Sequence, residues 1–327
     1  MFGVSRLALY SANPVAVAGV TGGSVYFVAG YTAQTGNRKY NLVTGASTSA
    51  TAIPTGGMLG QSWGSGVNGW YVGGFTGGDS NQVRRMAFST DTWTNLTAMG
   101  TSQRNGVGGS SSTKGYSWGG YRATVNMANN NQWIYATDAF NAGTAMGWGT
   151  GIGSSYGCGH GTGTQAIIFT GGTDAAGGTT RRAQSIYTFS TDTESFSASG
   201  AAYGFVSSGA TGTNTDIVVI SGQRSSADPT SFTGETTAIT RLVVSTGAVV
   251  TDTGTVGTSF SNCDAAGSDE VGIYAGDNAG TDRTSRENAY TYATNTATLL
   301  SAYLANNQVM TLNNVESPRA FHSAQVS

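Results

Sequence analysis

Hydrophobic and polar positions alternate along this chain in short runs, and many of the runs end on glycine. Residues 71–99, YVGGFTGGDSNQVRRMAFSTDTWTNLTAM, show the unit most clearly. An apolar run closes on a double glycine and a polar loop follows. A second run then alternates large residues, a Ser/Thr/Asp turn comes next, and Trp93 opens a third run. Alternation with a period of two predicts half-buried strands. Serine, threonine and aspartate between the runs are turn chemistry, because their side chains bond nearby backbone amides.

The unit recurs. Glycine closes an apolar run at Gly30, Gly74, Gly120, Gly172, Gly222 and Gly276, roughly 50 residues apart, a spacing that predicts propeller blades. These glycines suit a place where the backbone needs positive φ or a close neighbour. After each comes an alternating run: KYNLVTGAS from Lys39, MAFSTDTW from Met86, WIYATDAF from Trp133, YTFSTDTESF from Tyr187, RLVVSTGAV from Arg241 and YTYATNTATL from Tyr290. Before the anchors, small residues surround one aromatic: Trp63, Tyr156, Tyr203, Phe260 and Phe321, with Tyr10 as another copy and Asn105 replacing the aromatic in the weakest one. Each unit thus supplies about four strands.

The glycine pairs, the aromatic-x-aromatic strand with its S/T-T-D/N-T turn, Trp93 and the Ser-Pro-Arg-x-x-His run at 317–322 resemble the kelch-type β-propeller family over essentially the full chain. The resemblance implies an all-β, six-bladed kelch-like β-propeller, with seven blades as the alternative count. It implies little about activity, since propellers host many unrelated ones. The expectation is one domain over 1–327, in which residues 1–22 or 311–327 close the ring while the other terminal strand docks on a partner.

Composition narrows the function classes. Charged residues make up 10% of the chain and the net charge is −2, which gives no electrostatic case for nucleic acid or an anionic membrane. No apolar window is long enough for a transmembrane helix, and residues 1–20 do not read as a signal peptide. Lys39 and Lys114 are the two lysines among 15 basic residues. Cys158 and Cys263 fall in different repeats, so no disulfide is expected. Arginines cluster where the loops after the anchors end: Arg38, Arg84, Arg85, Arg181, Arg182, Arg283 and Arg286. They are the candidate interaction face, an incomplete positive ring on one side, with Asp79, Asp174, Asp282 and Glu287 near enough to neutralise it.

Motifs that carry chemistry are read as scaffolding. Ser62 and Ser155 match the G-x-S-x-G nucleophile pattern, but both occupy the same repeat position and the next copy holds Ala202 there. The nucleophile elbow also needs a strand-to-helix turn and a histidine partner. His160 and His322 lie in different repeats, and Cys158 with His160 makes two soft ligands without a third. No catalytic residue, metal or cofactor is expected. The function expected is therefore a non-enzymatic structural or attachment protein, a tailed-phage virion component (tail, fibre or appendage) with other virion subunits as partners. A carbohydrate-binding recognition propeller at an extracellular or cell-surface site is the alternative. A galactose-oxidase-like or sialidase-like enzyme ranks third.

Overall fold

In the computed structural model, residues 24–28, 37–55, 58–65, 67–75, 77–123, 125–148, 158–162, 164–169, 182–197, 204–206, 208–220, 223–225, 237–246, 248–255, 260–267, 270–278 and 286–299 are described. They contain strands and turns and no helix. Five antiparallel four-stranded sheets follow one another along the chain. Blade 2 runs Met58–Gly64, Asn68–Phe75, Val83–Ala87, Thr92–Leu96. Blade 3 runs Val107–Ser110, Lys114–Trp118, Asn130–Ile134, Ala139–Ala142. Blade 4 runs Cys158–Gly161, Gln165–Phe169, Gln184–Thr188, Thr193–Ser197. Blade 5 runs Gly209–Gly212, Asp216–Ile220, Ala238–Val243, Val249–Thr255, and blade 6 runs Phe260–Gly267, Val271–Asn278, Arg286–Thr291, Thr296–Leu299. Blade 1 contributes Ser24–Val28, Asn37–Asn41 and Ser47–Ala50.

The first strands of blades 2 to 6 neighbour one another in sequence order, and that of blade 6 lies beside Ser24–Val28 of blade 1. The chain is a six-bladed β-propeller. The segments expected to close the ring, 1–22 and 311–327, lie outside the described residues.

Among the described residues the core is a series of seams between successive blades. Tyr26, Val28, Tyr71, Met86 and Phe88 fill the seam between blades 1 and 2. Trp63, Trp70, Val72, Met99 and Trp133 fill the next. Tyr116, Trp118, Met146, Trp148, Ile168 and Tyr187 lie between blades 3 and 4. Aliphatic residues take over between blades 4 and 5, with Ile167, Ile217, Val219 and Leu242. Burying a side chain of this size stabilises by about 1.5–3 kcal/mol, so the seams carry most of the fold. Five of the six tryptophans are buried there. Trp93 is half-buried and its indole N–H donates to the Thr51 carbonyl of blade 1.

Two turn types repeat around the ring. Between the first and second strands, Ser65, Ser111, Thr162 or Thr213 uses its hydroxyl to accept the backbone N–H three residues on. Between the third and fourth strands, Asp91, Asp138, Asp192 and Asn295 each sit at positive φ, a conformation that short polar side chains tolerate best after glycine.

Those aspartates also reach across the seams. Asp91 accepts the Tyr26 hydroxyl at 2.6 Å and pairs with Lys39 at 3.2 Å, both in blade 1. Asp138 pairs with Arg85 of blade 2 at 2.7 Å and accepts the indole N–H of Trp133. Asp192 pairs with Lys114 of blade 3 and accepts hydroxyls from Tyr116 and Tyr187. Burial, reinforced by Asp192, raises the Tyr116 phenol far above its ordinary value. Burial is also the main cause that pushes Tyr187 up to about 12. In blade 5, Arg241 stands where Lys39 and Arg85 stand in theirs, but blade 6 offers the uncharged Asn295. Arg241 turns back to Asp216 of its own blade at 2.9 Å.

Candidate interaction surface

In each up-and-down blade, the loop between the second and third strands shares a face with the connection to the next blade. On blades 2 and 3 this loop-bearing face is tightly built. The connection between them runs under the double glycine of blade 2: Gly74 N–H donates to the Gln103 carbonyl at 2.8 Å and Gln103 N–H to the Ser80 carbonyl at 2.9 Å. Gly73 has φ 65°. A Cβ there would lie 2.5 Å from the Gln103 carbonyl oxygen. Gly120, the counterpart of Gly74 in blade 3, has φ 105°, and its Cβ would meet the Arg104 carbonyl at 2.6 Å. Both positions need glycine for conformation and for space.

Arg104 is the centre of this surface. Its backbone exchanges two hydrogen bonds with Tyr121, at 3.0 and 2.6 Å. Its guanidinium carbon lies 4.6 Å from the Phe75 ring centre and 5.1 Å from that of Tyr121. Its Nη1 lies 3.2 Å from Oδ1 of Asp79. The other Asp79 oxygen accepts the backbone N–H of Ala123, a residue held at φ 52°. A planar cation between two rings and against a carboxylate loses little further rotamer freedom when a partner arrives. The small hairpin Tyr121–Arg122 and Val125–Asn126 then carries Arg122 and Val125 outward, both exposed. A related pairing recurs between blades 4 and 5, where Gly204–Val206 pairs with Gln223–Ser225.

Beneath this surface lies a buried amide network. Oε1 of Gln61 accepts hydrogen bonds from Gln103 at 3.0 Å and Ser117 at 3.1 Å, and Oε1 of Gln103 accepts from Asn131 at 2.8 Å and from Asn129. Such a network fixes the position of the connection that carries Arg104.

The seven arginines read from the sequence do not behave alike. Arg84 is fully buried, which corrects its assignment to an exposed ring. The Arg84–Arg85 pair lies inside the third strand of blade 2, so alternation sends the two side chains to opposite sides. Arg84 lies 5.7 Å from the Tyr71 ring centre and donates to Gln82, and burial lowers its pKa. Arg85 is drawn to Asp138 on the turn-bearing face. Arg182 is half-buried. Arg38 and Arg286 lie in described strands, but their side chains fall outside the description, as do Arg181 and Arg283 altogether. Asp79 pairs with Arg104, a residue the sequence reading passed over because it sits beside Asn105 in the weakest repeat copy.

Other flagged residues have structural surroundings. Ser62 is half-buried in the first strand of blade 2, and its backbone packs on Gly108. Cys158 is buried and in no disulfide, and His160 is buried with Nε2 3.0 Å from the Thr213 carbonyl oxygen. Ser155 and His322 lie outside the described residues.

No family model matches the sequence, and no curated protein matches it. Among solved structures the chain is similar to one titled "Structure of YjhT", a propeller, with a TM-score of 0.65, at 15% identity, covering 88% of this chain and 99% of that one. A likeness at that identity concerns the fold alone.

Proposed function

We propose that this propeller is a non-enzymatic docking subunit of a larger assembly, of kelch-type ancestry, and that it binds partner subunits through the loop-bearing face of blades 2 and 3. The observation that carries the reading is the Arg104 platform: a cation fixed between Phe75 and Tyr121, anchored by Asp79 and seated on a buried amide network. Preorganised aromatic and arginine groups are the kind that dominate interface energetics. The setting we favour is a tailed-phage virion, in a tail, fibre or appendage. Its support is compositional: 50 glycines and a 10% charged fraction in an all-β chain.

A photo-crosslinking amino acid at Arg122 or Val125 tests both parts. In particles purified from the source of the gene, the chain is expected as a stoichiometric component that cross-links to one defined subunit. A chain that is absent from particles would overturn the setting. A chain present in them without a specific adduct from either position would overturn the choice of surface.

A further inference from the structure

The turn-bearing face, opposite the Arg104 platform, holds a cleft of about 330 Å³ at the seam between blades 3 and 4. Ser112 and Thr113 of blade 3 form one wall, Gln165, Thr188 and Ser190 of blade 4 the other, and Phe189 the floor. Phe189 is buried and stacks on Tyr116 at 5.1 Å, so the floor is fixed. The volume falls at the lower end of the range of small-ligand sites, about 300–1,000 Å³.

The repeat shows that packing alone does not demand Gln165 or Thr188. The position of Gln165 is Lys114 in blade 3 and Asp216 in blade 5. The position of Thr188 is Ala87 in blade 2, Ile134 in blade 3 and Val243 in blade 5, whereas Ser190 is a turn serine that blades 2 and 5 share as Ser89 and Ser245. At this seam all three are uncharged hydrogen-bonding residues, opposite Ser112 and Thr113. Lys114 and Asp192, which closely follow Thr113 and Ser190 in sequence, neutralise each other in an ion pair. The cleft therefore offers donors and acceptors around a small apolar floor, without net charge.

We infer that the cleft binds a neutral saccharide residue. A hydroxyl-rich, uncharged ligand can exchange hydrogen bonds with all five polar side chains while laying its C–H surface on the floor. An acidic ligand would lose its hydration with no cation free to compensate. This inference uses the face opposite the docking surface and does not depend on it.

Saturation-transfer NMR on the full chain tests the inference. The probes are glucose, galactose, mannose, their N-acetylated amines and common disaccharides, with sialic acid and glucuronate as charged controls. At least one neutral sugar is expected to bind saturably. The affinity should fall about tenfold in Thr188→Val/Ser190→Ala, the consequence of losing roughly two net hydrogen bonds. Ser112→Trp should abolish binding by filling the cleft from an exposed position. Denaturation midpoints of the variants should match the parent, so that lost binding is not lost fold. Silence from every neutral sugar, equal binding of the acidic sugars, or binding that survives both variants would each overturn the inference. Cross-links from Arg122 or Val125 would stand or fall separately.

Discussion

Asp192 offers the sharpest test of how the blades are held together. It sits at φ 52° in its turn and accepts hydroxyls from Tyr116 at 3.0 Å and Tyr187 at 3.3 Å while pairing with Lys114 across the seam. Asp192→Ala removes three contributions. Alanine in the left-handed region costs about 1 kcal/mol more than aspartate or asparagine, which bond locally there. Tyr116 is fully buried, and leaving its hydroxyl without its acceptor costs about 1–3 kcal/mol. The ion pair adds little, about 0.5 kcal/mol, because the Lys114 and Asp192 side chains are 25% and 34% exposed and solvent screens them. The expected loss is about 3 kcal/mol. Asp192→Gly restores the backbone and keeps the other losses, about 2 kcal/mol. Asp192→Asn keeps the turn and an acceptor and loses the charge, about 1 kcal/mol. Urea unfolding at constant slope measures the series. An alanine variant within about 0.5 kcal/mol of the parent, or a glycine variant as stable as the parent, would refute the account.

Further outcomes follow from other particular residues. Gly120→Ala should destabilise by more than about 2 kcal/mol through strain and collision with the Arg104 carbonyl, whereas Gly77→Ala, also at positive φ but with open space around it, should cost only about 1 kcal/mol. Urea midpoints separate the two. Tyr187 has its pKa raised to about 12, above an unfolded value near 10. The neutral phenol's stabilisation is therefore fully present below pH ~10 and lost as pH rises through about 12. Ultraviolet titration should show Tyr187 ionising together with alkaline unfolding, and early ionisation in a folded ring would contradict this. Replacing Arg104 by lysine should leave the fold intact and cut partner cross-linking from Arg122 about tenfold, since an ammonium cannot stack as a plane between two rings.

The ring, the blade count and the glycine anchors were legible because each depends on local chemistry. The double glycines mark where the connection passes at 2.5–2.6 Å from a missing Cβ, and the S/T-T-D/N-T segments mark left-handed turns. The function of the turn aspartate was not read, because its partners lie in the preceding blade, as distant in sequence as Lys39 from Asp91. A signal was nonetheless present. Six positions before each turn residue stand Lys39, Arg85, Gln132, Ile186, Arg241 and Ala289, and the turns of the following blades offer Asp91, Asp138, Asp192, Gly247, Asn295 and Gly45. Charge on one side meets charge on the other for blades 1 and 2. In blade 3, Gln132 accepts a bond from Lys114, which supplies the cation. Where Ile186 or Ala289 stands, the following turn holds glycine. The arginine face was harder to read, since two adjacent arginines in a strand look alike until alternation assigns one to the core.

This distribution divides the ring into unequal halves. Blades 1 to 4 are joined by aromatic seams, each crossed by an aspartate latch, and the tryptophans all belong to this half. The seam between blades 4 and 5 is mainly aliphatic and has glycine at the corresponding turn. Between blades 5 and 6, Arg241 bonds within its own blade. Hydrophobic burial is non-directional, whereas a charge-assisted latch fixes distance and angle. The latched seams thus carry charge-assisted contacts, whereas the next two are crossed by neutral ones: His160 to the Thr213 carbonyl, Tyr274 to the Val218 carbonyl and Tyr292 to the Thr211 hydroxyl. Both the Arg104 platform and the neutral cleft span latched seams, at 2–3 and 3–4. A site built from two blades requires a rigid seam, because a shift of an ångström between them separates Arg104 from Tyr121 or widens the cleft walls.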